Sequence, residues 1–260
     1  MAGFELGLKL TYCGNSSVGR ARPCQGRGRE FESRFPLKRP SSDRWFFCWN
    51  STRWLLSKYY QTFAIFTQNM LIEYHPLKPF LPNEAKVLML GSFPPKRNRW
   101  SMEFYYPNFQ NDMWRIMGYL FYGDKYFFVN EDAQSFCREK IVDFCTKKGI
   151  ALFDAAYAVR RLNDNASDKF LEVCSVTDIQ MLLSEILYCK AIVTTGQKAT
   201  DIIAGVMKCV GPKVGEKINF IYNNRPMILY RMPSSSRAYP MAIDKKAEFY
   251  QKMFCELELL

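Results

Sequence analysis

Histidine is nearly absent: the 260 residues include one, His75. The nine cysteines form no CxxC pair and no metal-ligand spacing. Together these features exclude a Cys/His zinc site and an iron–sulfur cluster, so no metal is expected. No apolar run is long enough to span a membrane. The aromatic stretch 45–67 carries Arg53 and Lys58 within the ~20 residues that a spanning helix needs. It also lacks the charged, apolar, small-residue order of a signal peptide. Neither a Walker loop nor a dinucleotide fingerprint is present. Scattered cysteines without a secretory signal point to free thiols in a reducing cytoplasm. What remains, 48% hydrophobic and 23% charged, reads as one soluble α/β domain with a sizeable core.

The net charge of +11 invites a nucleic-acid partner, but it is uneven. Residues 1–69 hold 11 basic against 4 acidic residues, and residues 70–260 hold 25 against 21. The basic segment has no sustained periodicity and is rich in Arg, Gly and Pro, the composition of a disordered arm. Its run from Cys13 to Leu37 resembles the conceptual translation of a transfer-RNA gene. Ser16–Ala21 can be back-translated as a D-arm, Glu30–Ser33 as a T-arm, and the two ends as complementary strands. This reading makes residues 1–69 a non-native or disordered extension and Met70 the true start, with the functional domain on 70–260. The competing reading, a DNA-binding tail, requires binding to weaken when the arm is deleted.

From residue 70 onward, apolar runs alternate with helical patterns. Lys86–Leu90, Ile150–Phe153, Ala191–Thr194 and Met227–Tyr230 read as strands buried on both faces. Asn111–Phe121, Glu131–Lys148, Asp178–Leu187 (with Thr177 as its cap), the segment opened by Gly196, and Ile243–Leu257 read as helices. The segment 155–172 reads as a polar loop. Alternation of this kind predicts a four-stranded parallel sheet in a three-layer α/β/α sandwich. Ligands then bind where the carboxyl ends of the strands emerge, at GSFPP, FDAAY, TTGQK and MPSSSR.

In the first of these loops, Gly91 permits close backbone approach, Tyr105, Tyr106 and Phe109 offer stacking faces, and Lys96, Arg97 and Arg99 can meet phosphates. Asn108 and Asn111 each carry a donor and an acceptor for a base edge. Pro233–Arg237 puts three hydroxyls and a cation after a strand, a composition suited to phosphate or sugar. Gly196 and Lys198 offer a helix N-terminus to an anion. Asp154 ends a strand and can orient water or an amide, and Arg160–Arg161 follow it. All of these residues also fit blander roles in loops, caps and packing. His75 reads as structural, and Asn163–Asp168 as a turn.

GSFPP followed by YYPNFQNDMW, then MPSSSRAYP near the end, resembles the paired motifs of the uracil-DNA glycosylase superfamily. Over Val87–Phe254 the nearest likeness is to its mismatch-specific and hypoxanthine-DNA glycosylase-like branches. The resemblance implies a monomeric α/β/α enzyme without metal or redox cofactor. Its reaction would be hydrolysis of the N-glycosidic bond of a damaged base flipped out of DNA. It places Asn111 and Ser92 in catalysis. Gly91, Phe93, Tyr106, Asn108 and Asp154 would form the base pocket. Pro233, Ser234, Ser235, Ser236, Arg237 and Lys198 would contact DNA, with Arg237 or its neighbours entering the gap left by the flipped base. The chain departs from the pattern at Phe93, where mismatch-specific members carry Asn, and it lacks the Asp and His of conventional members. The alternatives are a catalytically silent DNA-binding relative and an unrelated nucleotide-binding α/β protein.

Overall fold

The computed structural model describes residues 71–130, 133–162 and 168–260, all within the unit Trp54–Leu260. The expectation for residues 1–69 lies outside the described residues. The chain opens on a short strand, β1 (Ile72–Tyr74), and then enters β2 (Val87–Gly91). Every residue of β2 is buried, as are those of β3 (Ile150–Asp154) and β6 (Ala191–Thr195). Strands hidden along their whole length need cover on both faces, and this explains the unbroken apolar runs.

Between β2 and β3 lie helices α1 (Met113–Tyr122) and α2 (Arg138–Lys148). After β3 come β4 (Ala156–Arg161), β5 (Leu171–Val176) and α3 (Ile179–Glu185), which lead into β6. Helix α4 (Gln197–Met207), the hairpin β7 (Lys217–Tyr222) and β8 (Arg225–Met232), and α5 (Ile243–Glu256) complete the chain. The main sheet has the order β3-β2-β6-β8-β7. Its first four strands are parallel, and the general right-handedness of such crossovers places α1–α2 over one face and α3–α4 over the other. The chain steps from β2 to β3 and then back across to β6, so the switch point lies between β2 and β6, where a ligand crevice opens.

Two sequence expectations need correction. The sheet has five strands, not four: β7 adds an antiparallel edge, joined to β8 through Asn223 and Asn224, both at positive φ as a tight two-residue hairpin requires. The segment 155–172, expected as a polar loop, contains β4 and the start of β5; β4 pairs with both β1 and β5 in a second, antiparallel sheet. A bulge near Tyr157 and the arginine pair hide the two-residue alternation of β4 from a sequence reading. Smaller adjustments follow. The second helix begins at Arg138 rather than Glu131, and Asp178 rather than Thr177 caps α3, accepting from the Met181 N–H. Among the described residues, no helix is long and apolar enough to cross a membrane.

One side chain fastens the hairpin to the rest of the fold. Arg225, at the start of β8, donates to the carbonyls of Leu183, Ile186, Leu187 and Cys189, in and just beyond the end of α3. Charge-assisted bonds of this kind contribute more than neutral ones. Arg225→Met should therefore cost about 2–3 kcal/mol, read as a lowered urea midpoint at unchanged slope.

Candidate active site

The carboxyl ends of β2, β3, β6 and β8 converge on a cleft of about 780 Å³. Every residue assigned above to catalysis, the base pocket or DNA contact lines it. Gly91, Ser92 and Phe93 enter from β2; Tyr106, Asn108 and Asn111 from the loop before α1; and Asp154 from β3. Lys198 comes from the start of α4, and Pro233–Arg237 from the loop after β8.

Three polar side chains in the cleft share one arrangement: an internal partner holds one end, and the other end has no hydrogen-bond partner among the described residues. The Asn111 Oδ1 accepts from the Met113 N–H at 2.9 Å, which fixes the amide orientation and leaves its NH2 group as the free donor. Asp154 Oδ2 accepts from the His75 imidazole at 2.9 Å, leaving Oδ1. Asp168 Oδ1 accepts from the Ser92 hydroxyl at 2.6 Å, leaving Oδ2.

Gly91 makes the second of these possible. A β-carbon there would lie 2.3 Å from Asp154 Oδ1, so only glycine lets the carboxylate rest against the strand. His75 sits behind Asp154, its side chain fully buried among the rings of Phe93, Tyr105 and Phe153. Its Nε2 lies 2.9 Å from Asp154 Oδ2, and its Nδ1 lies 2.9 Å from the Leu77 carbonyl and 3.2 Å from the Leu77 N–H, so both ring nitrogens are engaged. The structural reading of His75 is thus incomplete, since the imidazole orients a cleft carboxylate. Asp168, read as part of a turn, is also in the cleft. No local pattern marks either residue, because the fold alone joins them to β2 and β3. Burial raises the Asp168 pKa and the charge of Asp154 adds to it; the bond from Ser92 and the charges of Lys198 and Arg161 oppose the rise.

The walls are held with equal care. Tyr106 adopts a positive φ of 49°, a conformation that costs energy for a non-glycine residue. Its hydroxyl reaches Thr195 Oγ1 at 3.2 Å across the β2–β6 switch point, and burial together with the charge of Asp154 keeps it a neutral phenol. Phe93 packs on Ala156, Val159 and Leu171, so the second sheet backs this wall. Arg161 bonds the Pro94 carbonyl and Glu73.

On the opposite rim, Asp112 is 6% exposed and holds two cations, Arg237 at 2.9 Å and the fully buried Lys246 at 3.4 Å. Lys246 also donates to the Ser236 carbonyl, and the Asp112 N–H donates to the Ser235 carbonyl. This network ties the serine loop to the Asn111 loop. Arg237 stands at the rim, its guanidinium donating to Asp112 and Gln110. At the far end, Gly196 reaches φ 106° to open α4 beside Ser234, leaving the N–H groups of the first helical turn facing the cleft.

No family model and no curated protein matches the sequence. Among solved structures, fifteen chains are similar to it. One is the solution NMR structure of a protein from Methanosarcina acetivorans proposed to be a uracil DNA glycosylase. It is 21% identical, the match covers 72% of this chain and 99% of that one, and the TM-score is 0.50. The likeness shows a shared fold. Among the described residues, no group of His, Cys, Asp or Glu is placed to hold a metal ion.

Two outcomes follow from this geometry. Gly91→Ala should cost about 2–4 kcal/mol, since Asp154 must leave its buried imidazole partner. In an Asp154→Ala background the same change should cost less than about 1 kcal/mol, and urea unfolding of the four proteins measures the coupling. Asp168→Asn should stabilise the fold at neutral pH, because the wild-type carboxylate is charged there at a site that favours its protonated form. That advantage should vanish as the pH falls through the raised folded-state pKa towards the ordinary 3.8. A difference between the two proteins that does not change with pH would contradict the assignment.

Proposed function

We propose that the chain is a monofunctional DNA glycosylase that hydrolyses the N-glycosidic bond of a deaminated base, uracil or hypoxanthine, flipped out of DNA. The observation that carries this reading is the set of three half-engaged groups, Asn111, Asp154 and Asp168, in a cleft with a helix N-terminus and a serine loop on its rim. The shared fold and the paired sequence motifs point the same way.

Cleavage of a glycosidic bond of this kind develops positive charge on the sugar and negative charge on the departing base. The Asn111 NH2, fixed as a donor, can bond the base oxygen as that charge grows. A free carboxylate oxygen opposite, on Asp154 or Asp168, can hold a water molecule and stabilise the cationic sugar. The water oxygen bonds C1′, the C1′–N electron pair leaves with the base, and the water proton passes to the carboxylate. No strong general base is required, because bond breaking runs ahead of attack. Tyr106 and Phe93 supply faces for the base. Lys198 and the serine loop meet phosphates, a role that suits their place on the rim. Lys246 is buried and doubly engaged, so it does not serve as an amine nucleophile.

The test uses protein in excess over oligonucleotides that carry one uracil or one hypoxanthine, followed by alkali. The expected result is alkali-dependent strand cleavage on one of the two. Asn111→Ala should slow it about 10²–10³-fold, the range for loss of one transition-state donor. Cleavage without alkali would contradict a monofunctional mechanism. Tight binding without cleavage would instead identify a silent DNA-binding relative.

A further inference from the structure

A second cavity, of about 540 Å³, lies on the far side of the Phe93–Pro95 turn that walls the main cleft. It falls within the size range of small-ligand pockets. Its apolar surfaces are flat: Tyr74, Pro76, Pro94, Pro95 and Trp100. Rings and prolines of this kind match the face of a nucleobase and lack the aliphatic side chains that line a lipid or acyl pocket. The inner wall is polar. Arg161, with its side chain 4% exposed, pairs with Glu73 while its buried Nη1 has no partner. Such a group is suited to a base carbonyl. At the rim, Arg97 lies over the Trp100 ring with its guanidinium 4.2 Å from the ring centroid, and its side chain is half exposed.

The two cavities share the Phe93–Pro95 turn, and the outer one helps to hold it. Trp100 Nε1 donates to the Pro95 carbonyl at 2.7 Å, and Arg161 donates to that of Pro94 at 2.6 Å. A strand passing over this turn reaches both cavities. Tyr74 is 66% exposed and meets Tyr157 edge-to-face, which extends the aromatic surface outward from the outer cavity. Successive aromatic faces beside cationic side chains are how unpaired nucleic acid is held without base pairing.

We propose that the outer cavity bounded by Tyr74, Trp100 and Arg161 is a stacking subsite for the base next to the one in the main cleft. A base lodged there cannot pair with a complement, so the subsite takes its occupant from a single strand. The proposal rests on the reading of the main cleft as a DNA glycosylase site, and its test does not depend on base release.

Binding is measured by fluorescence anisotropy with the full chain carrying Asn111→Ala, so that turnover does not intervene. Three single-stranded probes each contain one uracil: one is intact, one lacks the base on its 5′ side, and one lacks the base on its 3′ side. Removing the neighbour on one side should weaken binding about tenfold, since a stacked base contributes about 1–3 kcal/mol. Adding Tyr74→Ala should bring the intact and weakened probes to the same affinity. Tyr74 is exposed, so this variant should keep the parent urea midpoint, and Trp100→Ala provides a second variant. A duplex probe should show no dependence on the neighbouring base. Equal affinities for all three single-stranded probes, a difference that survives both variants, or no measurable single-strand binding would each overturn the subsite. Base release by the unaltered chain, assayed separately, fails or succeeds independently and reports on the glycosylase reading alone.

Discussion

A parallel sheet buried on both faces governs the rest of this structure. Because β2, β3 and β6 are hidden along their whole length, helices must cover both sides of the sheet. Each crossover must then return the chain to the same end of the sheet, so all the carboxyl ends lie along one edge. The direction of crossing reverses between β2 and β6, and the crevice opens there. The cleft is therefore a consequence of covering the sheet. Its position would hold whatever the loops contained; their residues decide only what chemistry it offers.

Those loops are held largely by side-chain pairs in which at least one partner is out of water. Asp112 binds Arg237 and Lys246, Arg161 binds Glu73, and His75 binds Asp154. Buried pairs of this sort are poor sources of net stability, because desolvation offsets most of the attraction. Breaking one is nevertheless costly, about 3–5 kcal/mol, since the remaining charge loses its partner. Each pair also joins segments that are distant in sequence. Lys246 on the last helix holds the serine loop to the Asn111 loop, and Arg161 on the second sheet holds the proline turn. The pairs fix loop geometry rather than add stability, and loops fixed in advance need little reorganisation when charge develops in a reaction.

What the sequence disclosed and what it concealed follow the same division. The parallel strands were legible because burial on both faces leaves a continuous apolar run, as in VLML and AIV. The loops that end them were legible because glycine, proline and serine clusters punctuate those runs. The second sheet was concealed, because a bulge at Tyr157 shifts the alternation of β4 by one residue and the paired arginines look like a solvated turn. The edge strand β7 was concealed because Ile221 puts an apolar residue on its exposed face and blurs the alternation in the sequence. In the cleft, Asn111 and Asp154 stood at strand and helix ends where local patterns point. His75 and Asp168 did not, and their roles depend on contacts spanning 79 and 76 residues. A pairing of that range exists only once the sheet has formed, so no window of sequence contains it.

The chemistry offered to a ligand depends on what each internal partner consumes. A free asparagine presents a donor and an acceptor alike and can accept either a base edge or its complement. Once the Met113 N–H has taken the oxygen, Asn111 presents chiefly a donor. A carboxylate with both oxygens free can rotate, but Asp154 cannot, with one oxygen on an imidazole and the other against Gly91. Asp168 retains more freedom, because its partner is a rotatable hydroxyl. The cleft therefore faces its ligand with a fixed donor, a fixed acceptor and an adjustable acceptor. A ligand satisfies all three only if it is rich in acceptors where it meets Asn111 and carries an N–H or a bound water where it meets the carboxylates. Keto bases with a ring N–H meet that requirement more fully than amino bases with a bare ring nitrogen, since the latter would set a lone pair against a carboxylate. Under the proposed glycosylase reading, selection against the undamaged parent base rests on repulsion as much as on attraction.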